Sequence, residues 1–183
     1  MLRVTFDLGD ADLQHFEEVA QQTQALARAR PTEEIVAAAR AVYEQSQQAQ
    51  VAGFVRERYS RLKTLLDMAE DPQWSLGEED RQRLTNALAC FSTPSDANAT
   101  LLDHAIMVEL VSRDLHHDLD AYRDFCKFRE KRAPKRRTSG NPDPHAWLQQ
   151  RRDALQTRMH MRRKKDLDAA GSAVKKLFSL FRL

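Results

Sequence analysis

Leu101-Leu102-Asp103-His104-Ala105-Ile106-Met107-Val108-Glu109-Leu110-Val111-Ser112-Arg113-Asp114-Leu115-His116-His117-Asp118-Leu119-Asp120-Ala121-Tyr122-Arg123-Asp124-Phe125-Cys126 is the longest uninterrupted amphipathic run in the chain. Leu101, Ala105, Val108, Leu115, Leu119, Tyr122 and Cys126 fall on one side of a helix, with Ile106, Leu110 and Phe125 beside them. Apolar residues at three- and four-residue steps mark a helix that buries one face. The spacing predicts one long helix from about Ala99 to Lys131. A break near His116-His117 is allowed, but no Gly or Pro demands it.

The same period extends toward the N-terminus. Asp10 reads as the cap of a helix carrying Leu13, Phe16, Val19 and Ala20 to about Arg28. Pro31-Thr32-Glu33-Glu34 restarts the pattern, with Thr32 as cap and two acids where the helix dipole favours them. Ile35, Ala38, Ala39, Val42 and Tyr43 form the next stripe. Val55, Tyr59, Leu62, Leu66 and Ala69 follow, up to Asp71-Pro72. Ser75 with Glu78 fits a capping box ahead of Leu84, Ala87, Leu88 and Phe91. Leu2, Val4, Phe6 and Leu8 differ, because they alternate with Arg3, Thr5 and Asp7. A period of two predicts a half-buried strand. It needs a partner, for which a second copy of the chain and the C-terminal tail near Leu177–Leu183 are the candidates. The expected fold is all-α, a helical bundle with one short N-terminal β-strand paired across a homodimer.

Charge divides the chain. Residues 131–183 hold 15 Lys+Arg against 4 Asp+Glu, whereas residues 1–130 hold 14 against 23. The net +2 of the whole therefore conceals an acidic body and a basic end. Three parts are expected: a helical body over 1–130, a basic Pro/Gly-punctuated linker over 131–144, and a basic helical tail over 145–183. The tail helix carries a thin stripe of Trp147, Leu148, Leu155 and Met159. After Gly171-Ser172, the residues Val174, Leu177, Phe178 and Phe181 form a second amphipathic segment.

Cys90 and Cys126 are too few for a disulfide framework and read as two reduced, buried thiols. The first ten residues carry Arg3, Asp7 and Asp10 without an apolar stretch behind them, and no run approaches the ~20 apolar residues of a membrane span. The expected location is cytoplasmic, at most on a membrane surface.

Residues Leu84 to Arg129 resemble the YkvA-like domain, a bacterial helical family without an established biochemical role. Ala87-Leu88-Ala89-Cys90-Phe91, Thr93-Pro94-Ser95-Asp96, Leu102-Asp103-His104-Ala105-Ile106-Met107-Val108-Glu109-Leu110 and the run Arg113 to Phe125 carry the likeness. Pro94 and Asp96 match the family's Ser-Pro-x-Asp pattern. Its second Pro-Asp is absent, and Ala97-Asn98-Ala99-Thr100 is polar where the family is apolar. Of the family's Asp-Asp pair only Asp103 has a counterpart. A site built on those acids, or a membrane hairpin, is not implied for this chain.

No phosphate-cradling glycine loop and no nucleophile motif can be assembled, so catalysis is not expected and neither a cofactor nor a small-molecule substrate is inferred. Metal candidates are Asp96, Asp103, His116 and Asp120, the last two at i, i+4 on one helix. Ordinary helix-face charge competes with that reading. Glu109 lies near the apolar side and Asp103 at the helix start, where a carboxylate can cap backbone N–H groups; either suits an Arg from a neighbouring helix.

A strand followed by two helices suggests a DNA-reading dimer, but residues 1–50 hold 4 Lys+Arg against 8 Asp+Glu. Phosphate neutralisation drives DNA binding, and an acidic head is repelled. The interaction residues are instead Arg136, Arg137, Arg162, Arg163, Lys164, Lys165, Leu177, Phe178 and Phe181. The expected function is a non-catalytic, self-associating helical adaptor whose basic tail meets an acidic protein surface. The plainest use of the tail's charge is to fold back on the chain's own acidic body or a second copy's; nucleic-acid binding through 131–165 and membrane attachment through 172–183 are the alternatives.

Overall fold

A computed structural model describes residues 9–92, 101–132 and 144–169. The expected strand at Leu2–Leu8, Asp96, Arg136, Arg137 and the segment 172–183 lie outside the described residues. Those described form seven α-helices: α1 Asp10–Ala27, α2 Thr32–Gln48, α3 Gly53–Glu70, α4 Glu78–Ala89, α5 Leu101–Asp114, α6 His116–Arg132 and α7 Pro144–Ala169. None of them is long and apolar enough to cross a membrane.

α3 lies at the centre and packs on α2, α4, α5 and α6. Its face of Val55, Tyr59, Leu62, Leu65, Leu66 and Met68 is buried. Leu88, Phe91, Val108, Val111, Leu115 and Phe125 close over it from the neighbouring helices. Full burial of such side chains contributes roughly 1.5–3 kcal/mol each. Trp74 sits in the α3–α4 connection and is wholly buried, with its ring against Tyr122 and Phe125 at centroid distances of 5.6 and 5.2 Å. α1 docks chiefly on α4 through Ala20 and Thr23. There the Thr23 hydroxyl donates to the Ala20 carbonyl at 3.0 Å and lies 3.7 Å from Cys90 Sγ.

Helix starts differ from the sequence reading. Gly9, not Asp10, caps α1, and its N–H donates to the Asp12 carboxylate at 3.0 Å. Pro31 precedes α2, and its carbonyl accepts from Glu34 and Ile35, so Thr32 is the first helical residue rather than the cap. α4 starts after Gly77, which removes Ser75 from the expected capping box. Ser75 instead turns the chain with φ 44°, a left-handed conformation that is costly for a residue with a Cβ. In α3, Met68 takes the buried place expected of Ala69, which is exposed.

The long helix expected over 99–131 is two helices that meet at Leu115. Leu115 N–H still reaches Val111 O, and Leu119 N–H reaches Leu115 O, both at 2.9 Å. Side chains serve the carbonyls between. His116 Nδ1 donates to Arg113 O at 2.7 Å, and Arg83 Nη2 donates to Asp114 O at 2.9 Å. Neither Gly nor Pro makes this break; donors from a ring and a guanidinium support it.

α7 runs antiparallel along α6. Trp147 lies against Phe128, with ring centroids 4.2 Å apart, and Asp166 reaches His117 at the other end. Leu155 and Met159 are almost fully buried, and Gln156 Nε2 donates to Trp74 O at 2.9 Å. Residues 144–169 therefore add side chains to the same core as the helices before them.

Candidate functional site: the charged seam under α7

Packing α7 on the acidic body brings together side chains far apart in sequence. Arg163 is only 12% exposed. Its Nη1 donates to Asp80 Oδ1 at 2.6 Å, its Nε to Asp118 Oδ2 at 3.0 Å, and its Nη2 to Asp118 Oδ1. Arg83 of α4 is equally buried, 2.7 Å from Asp114 Oδ2 and 3.6 Å from Asp118 Oδ2. His160 Nε2 lies 2.7 Å from Asp80 Oδ2. Two guanidiniums thus serve three buried carboxylates, a fork geometry that Lys cannot supply.

The environment separates the carboxylates. Burial works to raise the Asp80 carboxyl, but Arg163 and His160 outweigh it and hold it below the ordinary carboxylate range. At Asp114 burial wins over the Arg83 partner, and nearby Asp118 adds to the upward push. Asp114 Oδ1 is buried and has no hydrogen-bond partner among the described residues. For Arg163, burial favours loss of charge, yet Asp118 and Asp80 more than compensate and raise its pKa.

Beside this network lies a half-open cleft of about 20 Å³, lined by Arg83, Asp114, His116, His117, Arg163, Asp166 and Leu167. That is room for about one water or one small ion. Two imidazoles from the start of α6 face one carboxylate from α7. His117 Nε2 is 2.7 Å and His116 Nε2 3.6 Å from Asp166 Oδ2, and the imidazole rings lie 3.8 Å apart. One ligand atom from each of the three lies within 4.8 Å of the others.

Of the metal candidates read from sequence that lie among the described residues, only His116 takes part. Asp120 is 61% exposed and 3.9 Å from Arg123. Asp103 is at the start of α5, a helix away from the cleft. Asp166 and His117 were missed as a pair with His116, because Asp166 comes from another helix about fifty residues on and helical spacing reports only neighbours on one helix. Glu109 meets the expectation of an arginine partner on a neighbouring helix. Arg61 and Arg58 of α3 reach it at 2.8 and 3.3 Å, and Arg113 of its own helix at 3.1 Å. Burial opposes its ionisation, but Arg61, Arg113 and Arg58 together hold its pKa low.

The basic residues of α7 split into two sets. Arg163 points inward, and Arg158 pairs with Asp124 at 2.9 Å on the rim. Arg162, Lys164 and Lys165 are exposed and have no carboxylate partner among the described residues. Met161 lies between them, 63% exposed. Both cysteines are free thiols; Cys90 is buried and Cys126 half-buried. No family model matches the chain, and no curated protein or solved structure is similar to it.

Proposed function

We propose that this chain is a non-catalytic helical interaction protein that receives an acidic protein segment along the outer face of α7. One observation carries the reading: Arg162, Lys164 and Lys165 surround an exposed Met161 without a carboxylate of their own, while the inner side of the same helix saturates Arg163. An apolar centre ringed by cations suits an acidic segment with an apolar anchor. Kinship of Leu84–Arg129 with the YkvA-like domain, a cytoplasmic location and self-association through Leu2–Leu8 belong to the same proposal.

The test is fluorescence anisotropy of a labelled polyglutamate peptide with the intact chain and its R162E/K164E/K165E variant. The expected result is salt-sensitive binding that the variant loses. Equal binding by both proteins overturns the reading. Tighter binding of a DNA or RNA oligonucleotide than of the peptide transfers it to a nucleic-acid partner.

A further inference from the structure

We propose that His116, His117 and Asp166 form a binding site for a divalent transition-metal ion, zinc in the first instance, which fastens α7 to the α5–α6 corner. This does not rest on the docking reading above. Two imidazoles and a carboxylate are a donor set for zinc and its neighbours, not for magnesium or calcium, which take oxygen ligands.

The geometry is close to what the ion needs. Donor atoms around a tetrahedral zinc with ~2.1 Å bonds stand roughly 3.4 Å apart. The Nε2–Oδ2 distances of 3.6 and 2.7 Å bracket that value. His116 is already oriented. Its Nδ1–H donates to the Arg113 carbonyl at 2.7 Å, since a carbonyl can only accept, and this turns Nε2 toward Asp166 as the atom available to a metal. A backbone carbonyl on the far nitrogen is the usual support of a metal-binding histidine. His117 Nε2 carries the proton it shares with Asp166. Metal takes that place on Nε2, and the proton is then carried on Nδ1, which leaves a neutral imidazole as ligand.

A separate observation points to a ligand in the same cleft. The Asp114 side chain is 5% exposed, lines the cleft, and leaves Oδ1 without a partner. A metal-bound water supplies the donor that this oxygen lacks. The surrounding charge also fits. Asp80, Asp114, Asp118 and Asp166 gather around Arg83 and Arg163, four carboxylates against two guanidiniums, with His160 beside Asp80, so the surroundings favour a cation. His116 and Asp166 are partly exposed, which gives the ion a route in.

Isothermal titration calorimetry with zinc chloride tests this on the full chain, alongside H116Q, D166N and the surface control H15Q. Circular dichroism verifies that each variant is folded; both site substitutions alter partly exposed side chains. The expected result is one zinc per chain for wild type and H15Q, with affinity weakened about tenfold or more in H116Q and D166N. Zinc is also expected to raise the melting temperature of wild type but not of those two variants. Absence of zinc binding overturns the proposal. So does affinity within about threefold of wild type in both site variants, or an equal loss in H15Q.

Discussion

Arg163 and Asp118 meet side-on across the α6–α7 seam, two parallel N–H donors against one carboxylate, in a place almost closed to water. Isolated burial of either charge costs several kcal/mol, so the pair persists because each group satisfies the other and Asp80 takes the remaining donor. The basic charge read from sequence as a gripping surface is here partly spent on the chain's own acidic helices.

Replacing Arg163 with Met leaves Asp80 and Asp118 buried without their guanidinium. Urea unfolding followed by circular dichroism is expected to show a loss of about 3–5 kcal/mol. The Arg158–Asp124 pair is over two-fifths exposed on both sides, and Arg158→Met is expected to cost under about 1 kcal/mol. Equal losses in the two variants would contradict the seating of α7 described here.

Stability is expected to fall in two stages on acidification. Burial lowers the His104 pKa against the opposing Asp103 charge, so the folded state binds fewer protons there than the unfolded state. Its contribution is intact above the unfolded value of about 6.5 and is lost as pH falls from there through the lowered folded value. Asp80 and Glu109 have depressed folded pKa values. The stability they provide is present above the unfolded carboxylate range of about 4 and disappears as pH falls through their folded values. Asp114, shifted upward, works in the opposite direction and loses its contribution as pH rises. Melting temperatures across pH 3–8 check this, and His104→Phe is expected to remove the upper stage alone.

Ser75→Gly is expected to stabilise the protein by roughly 0.5–1 kcal/mol, because glycine adopts the φ of 44° without the clash of a Cβ. Ser75→Val is expected to destabilise it. Thermal melts of the pair decide; a lower midpoint for the glycine variant refutes the assignment of strain to this turn.

Trp74→Ala empties a site enclosed by Tyr122 and Phe125 and is expected to cost about 3–5 kcal/mol. Trp74→Phe is expected to cost far less, since the indole N–H has no hydrogen-bond partner among the described residues. Chemical denaturation of both variants provides the comparison.

The helical class was legible because its signal is local: Val55, Tyr59, Leu62 and Leu66, and then Val108, Leu115, Leu119 and Tyr122, repeat at helical steps and are buried. Helix starts were less so. Ser75 looks like a cap by type, but a cap is decided by backbone angles, and Gly77 takes the role. The break at Leu115 could be allowed but not required, since its cause is Arg83, contributed by a different helix. Trp74 escaped notice because a lone aromatic in a turn has no period. The cleft was hardest to read. His116 could be singled out, but its companion Asp166 becomes a neighbour only once Leu155 and Met159 have seated α7, and the thin stripe of that helix does not reveal how deeply it sinks.

Among the described residues α1 rests chiefly on α4, and the Cys90 sulfur lies against Thr23 of α1. Burial pushes the thiol up to about 12, with the Thr23 hydroxyl pulling weakly the other way, so the closed form is nearly inert to alkylation. Lifting α1 would remove the Thr23 side of the sulfur's cover, and it is expected to cost less than unfolding the core around α3. The speed at which a thiol reagent labels Cys90 in the intact protein is therefore a clock for that local event, independent of whole-chain unfolding.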